Sequence, residues 1–283
     1  MFELGDQHDA QEFLVALLDT VGEELRLASP AGTVAQSLPS HTVLGDVDAL
    51  ARQWRSAHLM AHNSLVTHLF SGQTVQRVSC PRCAASSFCC DAFSSLFIPL
   101  LYPAAQDWQV SIEDCLAECF RDECVEMAAR CSECKEMSAQ FVRRQGLYCL
   151  PPYLVLCVNR FKKDAYGMFT RKRTTSLRFG ERLHMGPWMS EAVVPAARSE
   201  SGGIHWADVD RPRSRRGEYA LFGVVNHVGD LYHGHYVSYC ERSDHWFLFN
   251  DKQVTESPVS PCERPGCGSE VYILFYRSLT HCC

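Results

Sequence analysis

Two Cys-x-x-Cys pairs, Cys80-Pro-Arg-Cys83 and Cys131-Ser-Glu-Cys134, constrain this chain more than any other feature. Two residues between cysteines let both thiolates of a tight turn face one metal. Two such turns complete a tetrahedral zinc site. The gap between the pairs is longer than in a compact zinc ribbon, so strands and a helix must fit inside it. Short β-rich runs at Gln73–Ser79, Phe93–Leu101 and Gln140–Cys149 flank the pairs, with a short helix over Ile112–Phe120 between them. Each pair is thereby expected at a hairpin tip. A redox Cys-x-x-Cys calls for a strand-to-helix setting near a βαβ unit, which this pattern lacks. Four thiolates leave no open position for water, so the expected zinc is structural.

Sixteen cysteines in 283 residues would suggest a disulfide scaffold in a small secreted protein. The first ten residues, MFELGDQHDA, have neither the basic start nor the apolar h-region of a signal peptide. The expectation is therefore a reducing intracellular compartment, cytoplasm or nucleus, with cysteine serving as metal ligand and small apolar residue. At 46% hydrophobic residues the chain can bury a sizeable core. A net charge of −6 gives no reason to expect direct nucleic-acid contact. No apolar run reaches the roughly 18 residues of a membrane helix, so no membrane association is expected. The basic stretch from Arg211 to Arg216 fits either a nuclear signal or a solvated loop.

Apolar periodicity predicts a helix over 6–27, capped by Asp6 or Asp9, with Glu12 three residues after Asp9 as in a capping box. Phe13, Leu14, Leu17, Leu18, Val21 and Leu25 would form its apolar face. A loop over 28–45 and a second helix near 46–62 follow, and Val66–Phe70 leads into strands. Tyr153–Arg160 is nearly all apolar and reads as a buried strand. Residues 195–217, rich in Pro, Gly, Ser and charge, read as an exposed insertion. Strands are predicted at Tyr219–Asn226, Tyr236–Glu241, His245–Phe249 and Val271–Tyr276. The class is α+β, with helices first and mostly antiparallel strands later.

Gly234-His235-Tyr236 opens one of these strands, and His245-Trp-Phe-Leu-Phe-Asn250-Asp251 ends the next. A thiol nucleophile needs a neighbouring imidazole to take its proton, and the imidazole needs a third group to fix its tautomer. A His on one strand and an Asn or Asp at the end of the next can meet across an antiparallel pair. Gly234 would let a substrate backbone come close. His227 and His233 are the nearest rivals to His235. Asp9 and Glu12 share one helix face. They read as a helix cap and, in addition, as receivers for cationic groups of an extended ligand.

Together these segments resemble the ubiquitin-specific protease family. Asp9-Ala-Gln11-Glu12-Phe-Leu14 is similar to its glutamine-glutamate-phenylalanine helix. Cys80, Cys83, Cys131 and Cys134 are similar to its zinc-bearing fingers. Leu150 to Phe161 matches its Leu-Pro…Arg-Phe strand, Tyr219–Asp251 its histidine box and Val271–Tyr276 its closing strand. The stretches Val224–His227 and Met185–Met189 bear a slighter similarity to histone-deubiquitinating members of chromatin coactivator complexes. The resemblance implies a papain-like fold of thumb (1–70), fingers (71–150) and palm (151–283) that grips ubiquitin and ubiquitinated proteins. It implies thiol-dependent hydrolysis after the C-terminal glycine of ubiquitin.

Carried over residue by residue, His235 is the general base. Asn250 holds the third triad position, and Asp251 helps polarise the site or the oxyanion. Asp9, Gln11, Glu12, Gly234 and Tyr236 would meet the substrate. The family's nucleophilic Cys lies in an Asn-x-Gly-Asn-Thr-Cys-like box upstream of the first helix, and no such box occurs in these 283 residues. Two expectations therefore stand side by side: a deubiquitinase domain lacking its nucleophile segment, and a ubiquitin-binding pseudoprotease or scaffold.

Overall fold

The computed structural model describes residues 8–27, 42–43, 47–102, 109–163, 169–189, 217–230 and 233–279. Asp6, nearly all of the predicted 28–45 loop and 195–217 insertion, the Arg211–Arg216 stretch and the terminal Cys282 and Cys283 lie outside the described residues. Helix α1 (Ala10–Glu24), strand β1 (Thr42–Val43) and helices α2 (Val47–Ala61) and α3 (Leu65–Phe70) come first. Strands β2 (Gly72–Ser79), β3 (Ser86–Phe93), β4 (Leu96–Pro99) and β5 (Val110–Ser111) lead to helix α4 (Ile112–Cys119). A long hairpin, β6 (Glu123–Arg130) and β7 (Met137–Cys149), precedes β8 (Tyr153–Asn159). Short strands follow: β9 (Phe161–Lys163), β10 (Phe169–Lys172), β11 (Leu177–Arg178) and β12 (Arg182–His184). The chain ends in β13 (Glu218–Gly229), β14 (Gly234–Arg242), β15 (His245–Asn250), β16 (Gln253–Ser257), α5 (Cys267–Glu270) and β17 (Val271–Ser278).

These strands build two main sheets. The first has the order β1-β3-β2-β7-β6 and is antiparallel throughout. Helix α2 closes one part of it by burying Leu50, Ala51 and Trp54 against Val75, Phe88 and Cys90. The second runs β16-β15-β14-β13-β17-β8-β4, with β12 paired to β13. Its one parallel pair is β4 with β8. In β8 five consecutive residues, Leu154 to Val158, are buried, because the sheet is covered on both faces there. One face packs the largest core, including Ile98, Ile112, Leu116, Leu156 and Tyr276. The other face receives Ala10, Leu14 and Phe70 from α1 and α3 against Val155, Cys157, Tyr272 and Ile273.

The α+β expectation holds, with local corrections. The run Phe93–Leu101 is two strands separated by a bend at Ser94 and Ser95. Residues Leu65–Phe70 lead into β2 as a short helix, which Ser64 caps by accepting from the Thr67 N–H. Helix α1 keeps its predicted place, but none of its residues is buried, and Phe13, Leu17 and Leu25 are about half exposed. Arg160, after β8, is fully buried. Its guanidinium donates to the carbonyls of Val271, Arg173, Thr175 and Gly268, which accounts for a charge in the core. Burial lowers its pKa to about 10, so it still carries that charge at neutral pH.

Candidate functional site

The four predicted ligand cysteines converge. The β2–β3 turn carries Cys80 and Cys83, and the β6–β7 turn carries Cys131 and Cys134. The two turns are built alike. The N–H of Ala84 donates to Cys80 O and that of Cys80 to Ala85 O. The N–H of Lys135 donates to Cys131 O and that of Cys131 to Glu136 O. In each turn the residue after the second cysteine, Ala84 or Lys135, adopts a left-handed conformation with φ 59°. This reversal curls the chain so that both sulfurs point inward. All four sulfurs lie within 4.8 Å of one another, and Cys83 Sγ is 3.7 Å from Cys131 Sγ. Tetrahedral bonds of about 2.3 Å to zinc put sulfurs about 3.8 Å apart, so the donor set fits the ion. Backbone N–H donation from Glu133 and Cys134 lowers the pKa of the Cys131 thiol, whereas burial and the neighbouring sulfurs raise that of Cys134.

The second constellation sits at the far edge of the second sheet. β14 and β15 are joined by a tight turn whose two residues, Ser243 and Asp244, both have positive φ. That turn fixes the register that brings the start of β14 back to the end of β15. His235 Nε2 lies 2.6 Å from Asn250 Oδ1. An amide oxygen only accepts, so Nε2 carries the proton and Nδ1 presents its lone pair. Asp251, in the turn after β15 with φ 51°, places Oδ2 3.9 Å from His235 Nε2. That is beyond a hydrogen bond.

The rival histidines take other parts. His233 is 90% exposed at its side chain and belongs to a turn in which its N–H donates to Asp230 Oδ1. His227 is buried among Phe161, Tyr236 and Tyr272. Its Nδ1 makes no hydrogen bond among the described residues, and burial followed by the Lys172 charge lowers its pKa to about 4. It is a neutral packing residue at physiological pH. It also explains Gly234 in a way the sequence did not suggest. A Cβ on Gly234 would lie 2.0 Å from His227 Nε2, so the space beside this glycine is filled by the imidazole.

Asp9 joins this site to the first helix. Its Oδ1 accepts from the N–H groups of Gln11 and Glu12 and caps α1. Its Oδ2 accepts from the Tyr272 hydroxyl at 2.6 Å. Burial and the same carboxylate push the Tyr236 phenol up to about 12. Asp9 therefore spends both oxygens inside the protein, whereas Glu12 on the next turn is exposed. Tyr272 has no local signal in the sequence, since it meets Asp9 across almost the whole chain.

A family model described as ubiquitin carboxyl-terminal hydrolase matches residues 1–276. Ubiquitin carboxyl-terminal hydrolase 21 of Rattus norvegicus is 27% identical over 287 residues, covering 96% of this chain and 46% of that protein. Ubiquitin carboxyl-terminal hydrolase Usp2 of Drosophila melanogaster is 28% identical over 288 residues, covering 98% of this chain and 26% of that protein. The chain thus spans less than half the length of either relative. A SAGA Ubp8/Sgf11/Sus1/Sgf73 DUB module superposes with a TM-score of 0.65 over 97% of this chain and 51% of the matched one, at 23% identity. The same kind of module bound to ubiquitin aldehyde gives 0.56 over 81% and 48%, at 24% identity. These structures share the fold.

Proposed function

Because the chain belongs to the ubiquitin carboxyl-terminal hydrolase family, we propose that it supplies the ubiquitin-gripping and base-bearing parts of a thiol-dependent deubiquitinase. The observation that carries this reading is the 2.6 Å contact between His235 Nε2 and Asn250 Oδ1, which leaves Nδ1 as the proton acceptor. In the proposed reaction, Nδ1 takes the proton of a cysteine thiol. The thiolate attacks the carbonyl carbon of ubiquitin's C-terminal glycine, and the imidazolium returns the proton to the leaving amine. Water, deprotonated by the same nitrogen, then cleaves the thioester and frees the thiol. Asn250 holds the ring, and Asp251 helps polarise the site or the oxyanion.

The thiol is proposed to come from a segment these 283 residues do not contain. Burial raises the pKa of Cys90, Cys115, Cys157, Cys240, Cys262 and Cys267, the opposite of what a nucleophile requires. The same thiols support a second reading, in which the chain binds ubiquitin without cutting it. Under either reading the first sheet with its zinc serves as fingers, the second as palm and the helices before residue 70 as part of a thumb. Gln11 and the exposed Glu12 would meet the arginine-bearing tail of ubiquitin.

Joining a family Cys-box segment to the N-terminus and assaying a ubiquitin C-terminal amide reporter tests the proposal. His235→Ala should cost ~10³-fold or more in kcat; Asn250→Ala should cost less if Asp251, 3.9 Å from Nε2, moves in to orient the ring. Unchanged turnover in His235→Ala would remove the base assignment and, with it, the catalytic reading.

A further inference from the structure

The strand that precedes His235 outruns its neighbour. Pairing of β13 with β17 ends at Asn226↔Val271, whereas pairing with β14 continues to Gly229↔Gly234. The carbonyls of alternate residues face the same edge of a strand. Past Asn226, the edge that β17 has left is filled by Lys172, the last residue of β10. Its Nζ donates to His227 O at 2.5 Å and to Gly229 O at 2.8 Å. Between these two carbonyls lies Val228, and Val228 is the cross-strand partner of His235. The side chain is partly buried, and both carbonyls lie within hydrogen-bond reach of its Nζ.

We propose that Lys172 is a positioning residue: its ammonium replaces the N–H donors of the missing strand and holds the hairpin that carries His235 in register with Asn250. The functional weight of this staple rests on His235 being the base, but the staple itself is testable without turnover. A flexible β13 end would let His235 slide against β15, and the 2.6 Å contact to Asn250 would then be only intermittently made. Methionine matches the reach of lysine without donors or charge. Arginine keeps both.

The test compares the isotopically labelled 283-residue chain with its Lys172→Met and Lys172→Arg variants. Amide hydrogen exchange is read at Val228 and His235, and at Leu154 and Leu274 in the sheet centre, together with the ring nitrogen signals of His235. The expected result for Lys172→Met is exchange faster by ~10-fold or more at Val228 and His235, unchanged at the sheet centre, with a weakened His235 Nε2–H signal. Lys172→Arg should restore both. Unchanged protection in Lys172→Met, equal loss at the sheet centre, failure of that variant to fold, or no rescue by arginine would overturn the proposal. Failure of the base assignment would show instead in the His235→Ala kinetics and would leave the exchange result standing.

Discussion

At the scale of residues, the conformation of a single amino acid decides how each site is shaped. Ala84 and Lys135 occupy left-handed positions that glycine adopts without steric cost. Ala84→Gly should therefore raise stability by about 0.5–1 kcal/mol in a urea melt, despite adding backbone freedom to the unfolded chain. A loss of stability would show that the Ala84 methyl packs productively. Asp9 and Glu12 separate in the same way. Tyr272→Phe removes the donor to Asp9 Oδ2 and should cost about 1–3 kcal/mol of stability. Glu12→Lys should leave the melt nearly unchanged and weaken ubiquitin capture at low salt, as read by titration calorimetry. Equal capture by wild type and Glu12→Lys would reduce Glu12 to a helix-terminus charge.

At the scale of elements, the four-cysteine cluster draws together the tips of two hairpins, β2–β3 and β6–β7, whose strands β2 and β7 also pair directly. A zinc ion held by these four cysteines would contribute its binding energy to folding. Chelation, or Cys83→Ser, should expose Cys131 and Phe141 and loosen the first sheet while the β8–β17 pairing keeps its exchange protection. An apo chain with an unchanged first sheet would contradict a structural role. Much of this element scale was legible in the sequence. Ligand spacing is local, and β8, β13, β14, β15 and β17 carry long apolar or alternating patterns that only a sheet satisfies. β3, with Ser86, Ser87 and Asp91, and β6, with Glu123 and Glu126, were not legible. Their pattern alone does not separate strand from helix or loop, and pairing with β2 and β7 makes them strands. The contacts of Asp9 with Tyr272 and of Lys172 with β13 join residues far apart in the chain, and no short-range pattern encodes them. His235 and Asn250 were legible because a hairpin brings them together.

At the scale of the whole molecule, the buried His227 and the half-buried His58 link folding to pH. Burial is the largest cause that lowers His227 and His58 to about 4; the second is Lys172 for His227 and His62 for His58. Above pH 6.5 both rings are neutral whether folded or unfolded. As pH falls from 6.5 towards 4 the unfolded chain takes up protons that the folded chain refuses, so stability falls. The slope is at most about 1.4 kcal/mol per pH unit for each ring. Urea melts between pH 7.5 and 5 should show this decline, and His58→Gln should flatten it by roughly half. A flat profile would mean that the rings are not held neutral.

We propose that this chain holds the base and its orienting amide but not the attacking thiol. This proposal is tested most directly by assaying a ubiquitin C-terminal amide reporter with the 283-residue chain alone and with the same chain joined to a Cys-box segment. The account predicts no measurable turnover by the chain alone and turnover once the segment is joined. Robust turnover by the chain alone, traced by alkylation and peptide mapping to one of its own cysteines, would contradict it.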